Sequence, residues 1–450
     1  MSVEVKIKKG ANILLKGSAD KIVGDAPAES TFAIKPDDFV GVNPKMLLKQ
    51  GAKVEAGTAI FYDKNDERIK FTAPVSGEIA EIRRGAKRKI LEIVILADKE
   101  IKFKDFGKSD ISSLSRDHIV STLLDSGVWP FIKQRPFDVI ANPSDKPKAI
   151  FISAFNSGPL AEDYDFIMHR QDDIFQKGID VLSKLTEGVV HLNINGSIKA
   201  DNTFCNAKNV QINKISGPHP AGNVGIQIHH IDPINKGEVV WVVNPQDVAV
   251  IGKLFTEGKY DASRTIALCG SRIKAPKYFK TRMGASIKNL LKENMVEGNN
   301  RVISGNILTG SKIDENNFIG FYDHEITVIP EGGNQQFFGW MGLGLNKFSL
   351  SKTFFSWMTP NREYDLNSNM NGEERAFVVT GEYEKVFPMD IYPVHLLKAI
   401  LIEDIELMEN LGIYEVSPED FALAEYACTS KINVQDIVRQ GLDLVHKETM

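Results

Sequence analysis

The sequence predicts a multidomain α/β protein, and three observations carry that prediction. Glycine-bounded runs of alternating side chains fill residues 1 to 112, apolar runs alternate with helical stripes from 113 to 262, and residues 392–450 read as acidic, amphipathic helix. A chain of 450 residues has room for roughly three domains. With 42% apolar and 25% charged residues the composition is that of a soluble globular protein. A net charge of -5 argues against a nucleic-acid partner, which would call for a basic excess. No window approaches the ~18 unbroken apolar residues of a membrane span. The N-terminus, Met1 to Lys8, alternates charged and apolar residues and is unlike a signal peptide. Cys205, Cys269 and Cys428 are scattered and odd in number, which fits a reducing cytoplasm better than a disulfide framework.

In the first unit, 1–112, Gly51 to Gly57 opens a hairpin whose strand Ile60-Phe61-Tyr62 reaches a polar tip at Asp63 to Asp66. The return strand passes Ile69-Lys70-Phe71 into Ala73-Pro74-Val75-Ser76-Gly77, and Ile90 to Leu96 is a further strand. The pairing of a G-x2-V-x2-G turn with an A-P-x-S-G hairpin resembles the barrel-sandwich fold of biotinyl and lipoyl carrier domains. A carrier lysine at the tip would be Lys64, but its flanks lack the signatures that carrier ligases read, so a solvated turn lysine is expected.

The second unit, 113–262, is expected to be Rossmann-like. It contains helices at Asp117 to Ser126, Asp172 to Leu185 and Asp247 to Glu257, with strands at Ala149 to Ala154, Val189 to Ile194 and Val239 to Val243. Arg264 to Gly270 leads out of it. A β-grasp (SLBB-like) unit follows over 263–320, with Thr281 to Ser286 opening a helix at Ile287 to Leu291. Residues 321–380 read as strand-like and glycine-rich, and with the helical end they form a degenerate ferredoxin-like region, 321–450.

Several stretches imitate chemical sites. Gly305 to Lys312 nearly spells a phosphate loop, but the lysine does not follow the second glycine, so a tight turn is expected. Gly339, Gly342 and Gly344 do not space as a dinucleotide fingerprint. His229 and His230, read as strand residues, would face opposite ways and not share a metal. His219, in the rigid loop Gly217 to Gly222, is either a structural turn histidine or a proton-exchanging one. No catalytic residue and no metal site is assigned. Near the C-terminus, a bacterial-type iron–sulfur run ending at Cys428 would place its other thiolates at Pro418, Phe421 and Ala424, none of which ligates iron.

Read in order, Phe71 to Gly77 with Arg84 to Arg88, Arg135-Pro136-Phe137, Gly217 to Gly222, Met283 to Ser286, Ile303-Ser304-Gly305, Phe338-Gly339-Trp340 with Asn346 to Ser349, Asn371-Gly372 and Tyr383 to Asp390 resemble the NqrA family of the Na+-translocating NADH:quinone reductase. The resemblance spans nearly the full length. It departs at Gly10 to Gly17, which lacks the family's proline, and at Cys428-Thr429-Ser430-Lys431, where the family usually has C-P-G-K. The frame is more distantly similar to the C subunit of the Rnf complex and the flavoprotein subunit of complex I. Where those relatives have a glycine-rich flavin loop, this chain has Ser126 to Phe137, and the ligand positions of an earlier cluster hold Glu382, Lys385, Pro388 and Tyr392.

The resemblance therefore implies a chain without FMN, iron–sulfur cluster or catalytic NADH site, inactive when isolated. NADH, FAD, FMN, riboflavin and Fe–S centres would be carried by partner subunits of a six-subunit sodium pump. It implies a peripheral place on the cytoplasmic side of the bacterial inner membrane, docking on the membrane-embedded B subunit, and a link to quinone binding. Trp129, Phe131, Phe137 and His219 are the candidate quinone contacts, because the former flavin region would be an emptied pocket; as core aromatics they would simply fill it. The alternatives are a docking subunit without a quinone site, using the acidic helical end and Phe337, Phe338, Trp340, Phe348, Phe354, Phe355 and Trp357 as partner surface, or a carrier-type enzyme modified on Lys64.

Overall fold

The computed structural model describes residues 2–333, 338–339 and 341–449. The N-terminal barrel-sandwich is two small antiparallel sheets facing each other. One orders Thr31–Ile34, Ile90–Ala97, Gly77–Arg84 and Lys53–Val54; the other orders Pro44–Met46, Ala59–Asp63 and Lys70–Thr72. Ile60, Phe61, Phe71, Ile79, Ile93 and Ile95 meet in one core, and the Phe61 and Phe71 rings stack at 4.4 Å. Gly77 is required where the hairpin turns back: at φ +154° an added Cβ would lie 2.0 Å from the Leu96 carbonyl oxygen. Lys64 is an exposed residue of the tip, its amide donating to the Asn43 carbonyl at 2.9 Å.

The α/β unit is built on a seven-stranded sheet ordered Glu4–Lys6, Gln211–Ser216, Val189–Asn195, Ala149–Ser153, Val240–Val242, Lys133–Arg135, Val139–Ile140. The first five are parallel, and Lys133–Arg135 pairs antiparallel with its neighbour on either side. Helices Asp172–Leu182 and Pro245–Glu257 pack almost backbone to backbone, since a Cβ on Gly178 would lie 2.0 Å from the Val248 oxygen and one on Gly252 2.2 Å from the Ile174 oxygen.

His229 and His230 lie in a helix, Val224–Ile231, and not in a strand. The four residues Gly225 to Ile228 are all buried, so the alternation of Ile226 and Ile228 with smaller or polar neighbours carries no information about faces.

The β-grasp unit is a six-stranded mixed sheet ordered Ser311–Ile313, Asn300–Ser304, Glu325–Pro330, Ser263–Cys269, Lys277–Arg282, Asp20–Asp25. Helix Lys288–Asn294 covers it through Leu290 and Leu291, which join Ile266, Leu268, Val302 and Val328. The run read as leading out of the α/β unit is thus an interior strand of the next sheet. Residues 321–380 are not strand-rich: among the described residues the one strand there is Glu325–Pro330, followed by turns and a single 3-10 turn at Phe355–Met358. Phe337 and Trp340 lie outside the described residues.

The C-terminal helices Glu382–Val386, Pro393–Leu401, Ile405–Asn410, Ala422–Ala427 and Val434–Thr449 gather around a second core. The last buries Val434, Ile437, Val438, Leu442 and Val445, the i, i+3/i+4 stripe of an amphipathic helix. Phe421, Ala424 and Cys428 are buried, the Phe387 and Phe421 rings lie 4.6 Å apart, and the Tyr383 hydroxyl donates to Cys428 Sγ at 2.9 Å.

Candidate functional site

The order of the large sheet fixes where a ligand would sit. From Ala149–Ser153 the chain winds outward to Val189–Asn195 and Gln211–Ser216, then returns to place Val240–Val242 on the other side. Connections leaving in opposite directions open a crevice at the carboxyl ends of the two inner strands. A cleft of about 260 Å³ lies there, lined by Ser153, Phe155 and Asn156 after one strand and by Val243 and Asn244 after the other. Phe131, Arg135, His219, Tyr322 and Glu419 complete its walls.

Phe131 comes from the turn Trp129–Phe131 and stacks on Phe321 with ring centres 5.0 Å apart. The Tyr322 hydroxyl donates to the Pro130 carbonyl at 2.7 Å. Asn244 donates through Nδ2 to the Tyr164 hydroxyl, and Asn223 through Nδ2 to the Glu419 carbonyl at 3.0 Å. Beneath them Arg264 pairs with Asp247 at 2.5 Å, both fully enclosed; burial nonetheless pushes the Asp247 carboxyl up to about 6.

His219 is held by the N-terminal segment: its amide donates to Asn12 Oδ1 at 2.9 Å, and its carbonyl accepts from the Ala11 amide at 2.9 Å. Its Nδ1 lies 3.1 Å from Ser157 Oγ, which already accepts the Gly222 amide at 2.7 Å. With the serine hydroxyl hydrogen given to Nδ1, the ring proton sits on Nε2. That nitrogen is buried and has no partner among the described residues. Burial lowers the imidazole to about 4, so it is neutral at physiological pH.

This has a consequence for stability. In the unfolded chain the ring takes up a proton near its ordinary 6.5, whereas the folded chain resists until about 4. Stability from this group is therefore full above 6.5 and lost as pH falls through that window, by about 3 kcal/mol at most. Urea unfolding at both ends of the window is expected to show a steeper acid loss in the native chain than in His219→Gln; equal slopes would contradict it.

Arg135 enters from the strand Lys133–Arg135 and is 5% exposed. Its Nη2 donates to Glu419 at 2.7 Å, with Asp138 at 3.5 Å and Asp420 at 3.9 Å. Burial raises the Asp138 carboxyl, but Arg135 and Lys133 outweigh it and hold it well below the usual range. Asp420 is beyond hydrogen-bond reach of the guanidinium, so burial and the Glu419 charge prevail and lift it to about 7. Asp420 also accepts from the Ser417 amide and hydroxyl, at 3.0 and 2.8 Å.

Of the four residues singled out in the sequence, Phe131 and His219 reach the cleft. Trp129 does not: it is fully buried, donates Nε1–H to the Ala141 carbonyl at 2.7 Å and meets Trp241 edge-on at 5.4 Å. Phe137, at φ +80°, turns toward the C-terminal helices, 4.5 Å from the His446 ring. Sequence reasoning missed Arg135 as a wall residue, together with Asn156, Asn223 and Asn244. The available signal was a polar residue just beyond each buried strand, as in Phe155-Asn156 and Val243-Asn244. The imitation phosphate loop is a turn in which Asn306 Oδ1 accepts the Leu308 and Thr309 amides at 2.8 and 2.9 Å, and it forms part of the cleft rim. His229 bonds Glu415 at 2.7 Å and His230 bonds the Ile226 carbonyl at 2.9 Å; no group of His, Cys, Asp and Glu suited to a metal occurs among the described residues.

Three family models match the chain: an NqrA N-terminal barrel-sandwich hybrid domain over residues 5–98, an NqrA second alpha/beta domain over 114–260 and an NQRA C-terminal domain over 265–315. The chain is 36% identical over 446 residues to the A subunit of the Na(+)-translocating NADH-quinone reductase of Marinomonas sp., covering 98% of this chain and 99% of that protein. It is 36% identical over 447 residues to the subunits of the same name from Yersinia pestis and Neisseria meningitidis, covering 99% of this chain and all of theirs.

Proposed function

Because the chain belongs to the NqrA family, the A subunits of the Na(+)-translocating NADH-quinone reductase, we propose that it is the cofactor-free peripheral subunit of such a complex, seating the quinone headgroup in the cleft at the strand ends. It docks on the membrane-embedded B subunit at the cytoplasmic face, while NADH, flavins and iron–sulfur centres belong to the other subunits. No described helix is long and apolar enough to cross a membrane, in keeping with a peripheral place.

The observation that carries the quinone reading is the buried, unpartnered Nε2 of His219 in a cleft with an aromatic wall. A quinone offers two carbonyl acceptors on a flat ring. The neutral imidazole donates to one, Phe131 and Phe155 give the ring an apolar face, and Asn223 and Asn244 each keep a second amide hydrogen for the other. At about 260 Å³ the cleft is smaller than the roughly 300–1,000 Å³ of ordinary ligand pockets, so it suits one ring and not a flavin nucleotide. The buried Trp129-Pro130-Phe131 turn replaces a glycine-rich phosphate cradle, and Pro418, Phe421 and Ala424 stand where cluster thiolates would be, which supports the absence of FMN and iron–sulfur groups.

Calorimetric titration of the purified chain with short-tailed ubiquinone and naphthoquinone tests this. Saturable binding is expected, weakened about 5- to 30-fold in His219→Leu by loss of one buried hydrogen bond. Absence of binding to the native chain, or unchanged affinity in the folded variant, would leave a docking subunit with no quinone site there.

A further inference from the structure

Between Gly332 and Arg362 the sequence has no acidic residue and three basic ones, Lys347, Lys352 and Arg362, although the whole chain carries a net charge of -5. The same stretch is rich in Phe, Trp, Leu and Met. A segment of a single charge sign on an oppositely charged protein, interleaved with large apolar residues, is unlike an ordinary surface loop.

The described part of this stretch is folded on itself. The Phe355 amide donates to the Leu343 carbonyl at 3.1 Å, the Lys347 amide to the Gly344 carbonyl at 2.9 Å, and Arg362 Nη1 to the Leu345 carbonyl at 3.0 Å. Phe348 anchors the loop to the body, its ring 5.4 Å from Tyr364 and 6.2 Å from Tyr426. Other side chains have no such seat: Met341, Leu343, Leu345, Phe355, Trp357 and Met358 are between 46% and 67% exposed. The Leu343–Phe355 backbone bond sets two of them side by side, on a platform held by its own hydrogen bonds.

We propose that this loop is a membrane-surface anchor, placing its exposed apolar side chains among the headgroups of an anionic bilayer while Lys352 meets the lipid phosphates and Lys347 and Arg362, hydrogen-bonded within the loop, add positive charge behind it. Charge complementarity favours lipid over a protein partner. An acidic protein is repelled by an anionic membrane except where a wholly cationic, apolar element faces it, and Trp and Phe with flanking Lys and Arg are the residues that settle at that depth. The anchor is independent of the quinone cleft, so either can fail alone.

The test is co-sedimentation of the purified full chain with vesicles of phosphatidylglycerol and phosphatidylethanolamine, against vesicles of phosphatidylcholine, at low and high salt. Binding is expected to be at least about tenfold stronger to the anionic vesicles, to weaken with salt, and to fall about tenfold or more in Leu343→Ser/Trp357→Ser. Both positions are exposed, so that variant should keep its melting temperature and its quinone titration. A native chain that stays in the supernatant, or a variant that binds as well as the native chain, overturns the proposal. So does a variant that keeps vesicle binding but no longer recovers membrane subunits in a pull-down, which would assign the loop to a protein partner.

Discussion

Arg135→Ala is expected to destabilise the protein by about 2–4 kcal/mol and to loosen the C-terminal helices from the large sheet, because it takes the buried cation from Asp420 and Asp138 and from the partly exposed Glu419. The guanidinium spans two units. Its own strand belongs to the sheet, whereas Glu419 and Asp420 belong to the turn Pro418–Phe421 that leads into the last helices. Asp138 keeps Lys133 at 2.9 Å and the Glu419 side chain is 37% exposed, so the heaviest loss falls on the fully enclosed Asp420. A second tie crosses the same boundary, Arg439 donating to the Phe137 carbonyl at 2.8 Å, so detachment should be partial and visible as new proteolytic cleavage near the C-terminal helices. Urea unfolding and limited proteolysis measure both effects; a loss below about 1 kcal/mol would mean that the network is solvated and does not hold the units together.

Trp129→Ala is expected to cost about 3–5 kcal/mol as well, by a different route. The indole has no exposed surface, lies edge-on against Trp241 and uses its N–H on the Ala141 carbonyl. Truncation therefore leaves a large cavity and an orphaned acceptor in the core that supports Phe131. As one of the candidate quinone contacts, Trp129 would be expected to lose quinone binding on truncation with the fold intact. The structure reverses the priority: stability falls first, and any change in quinone affinity follows from movement of Phe131. Phe131→Leu separates the two, since it alters the cleft wall directly while keeping most of the buried volume. A Trp129→Ala protein with native urea midpoint and abolished quinone binding would return the side chain to the cleft.

The four kinds of unit were legible because each has its own period. Alternation marks the barrel-sandwich strand that begins at Gly77, the stripe through Phe175 and Ile179 marks a helix, and continuous apolar runs such as Ala149 to Ser153 mark interior parallel strands. Periodicity failed in the helix that carries His229 and His230, where the burial of four consecutive residues, Gly225 to Ile228, removes the contrast between faces. It failed again over 321–380, where apolar residues follow no sheet and several remain exposed.

Full-length order of short motifs was enough to point to the family, and the missing thiolates at Pro418, Phe421 and Ala424 could be read by inspection, because ligand chemistry depends on residue identity at fixed spacing. Which aromatics meet in the cleft could not be read in that way. Trp129 and Phe131 are two positions apart, yet the backbone turn between them sends one into the core and the other to the cleft wall. His219 is held at Nδ1 by Ser157, 62 residues away, and Arg135 is paired with Glu419, 284 residues away. Sequence spacing carries local geometry only; contacts of that range are fixed by sheet order and by how the units pack, and only the tertiary structure decides them.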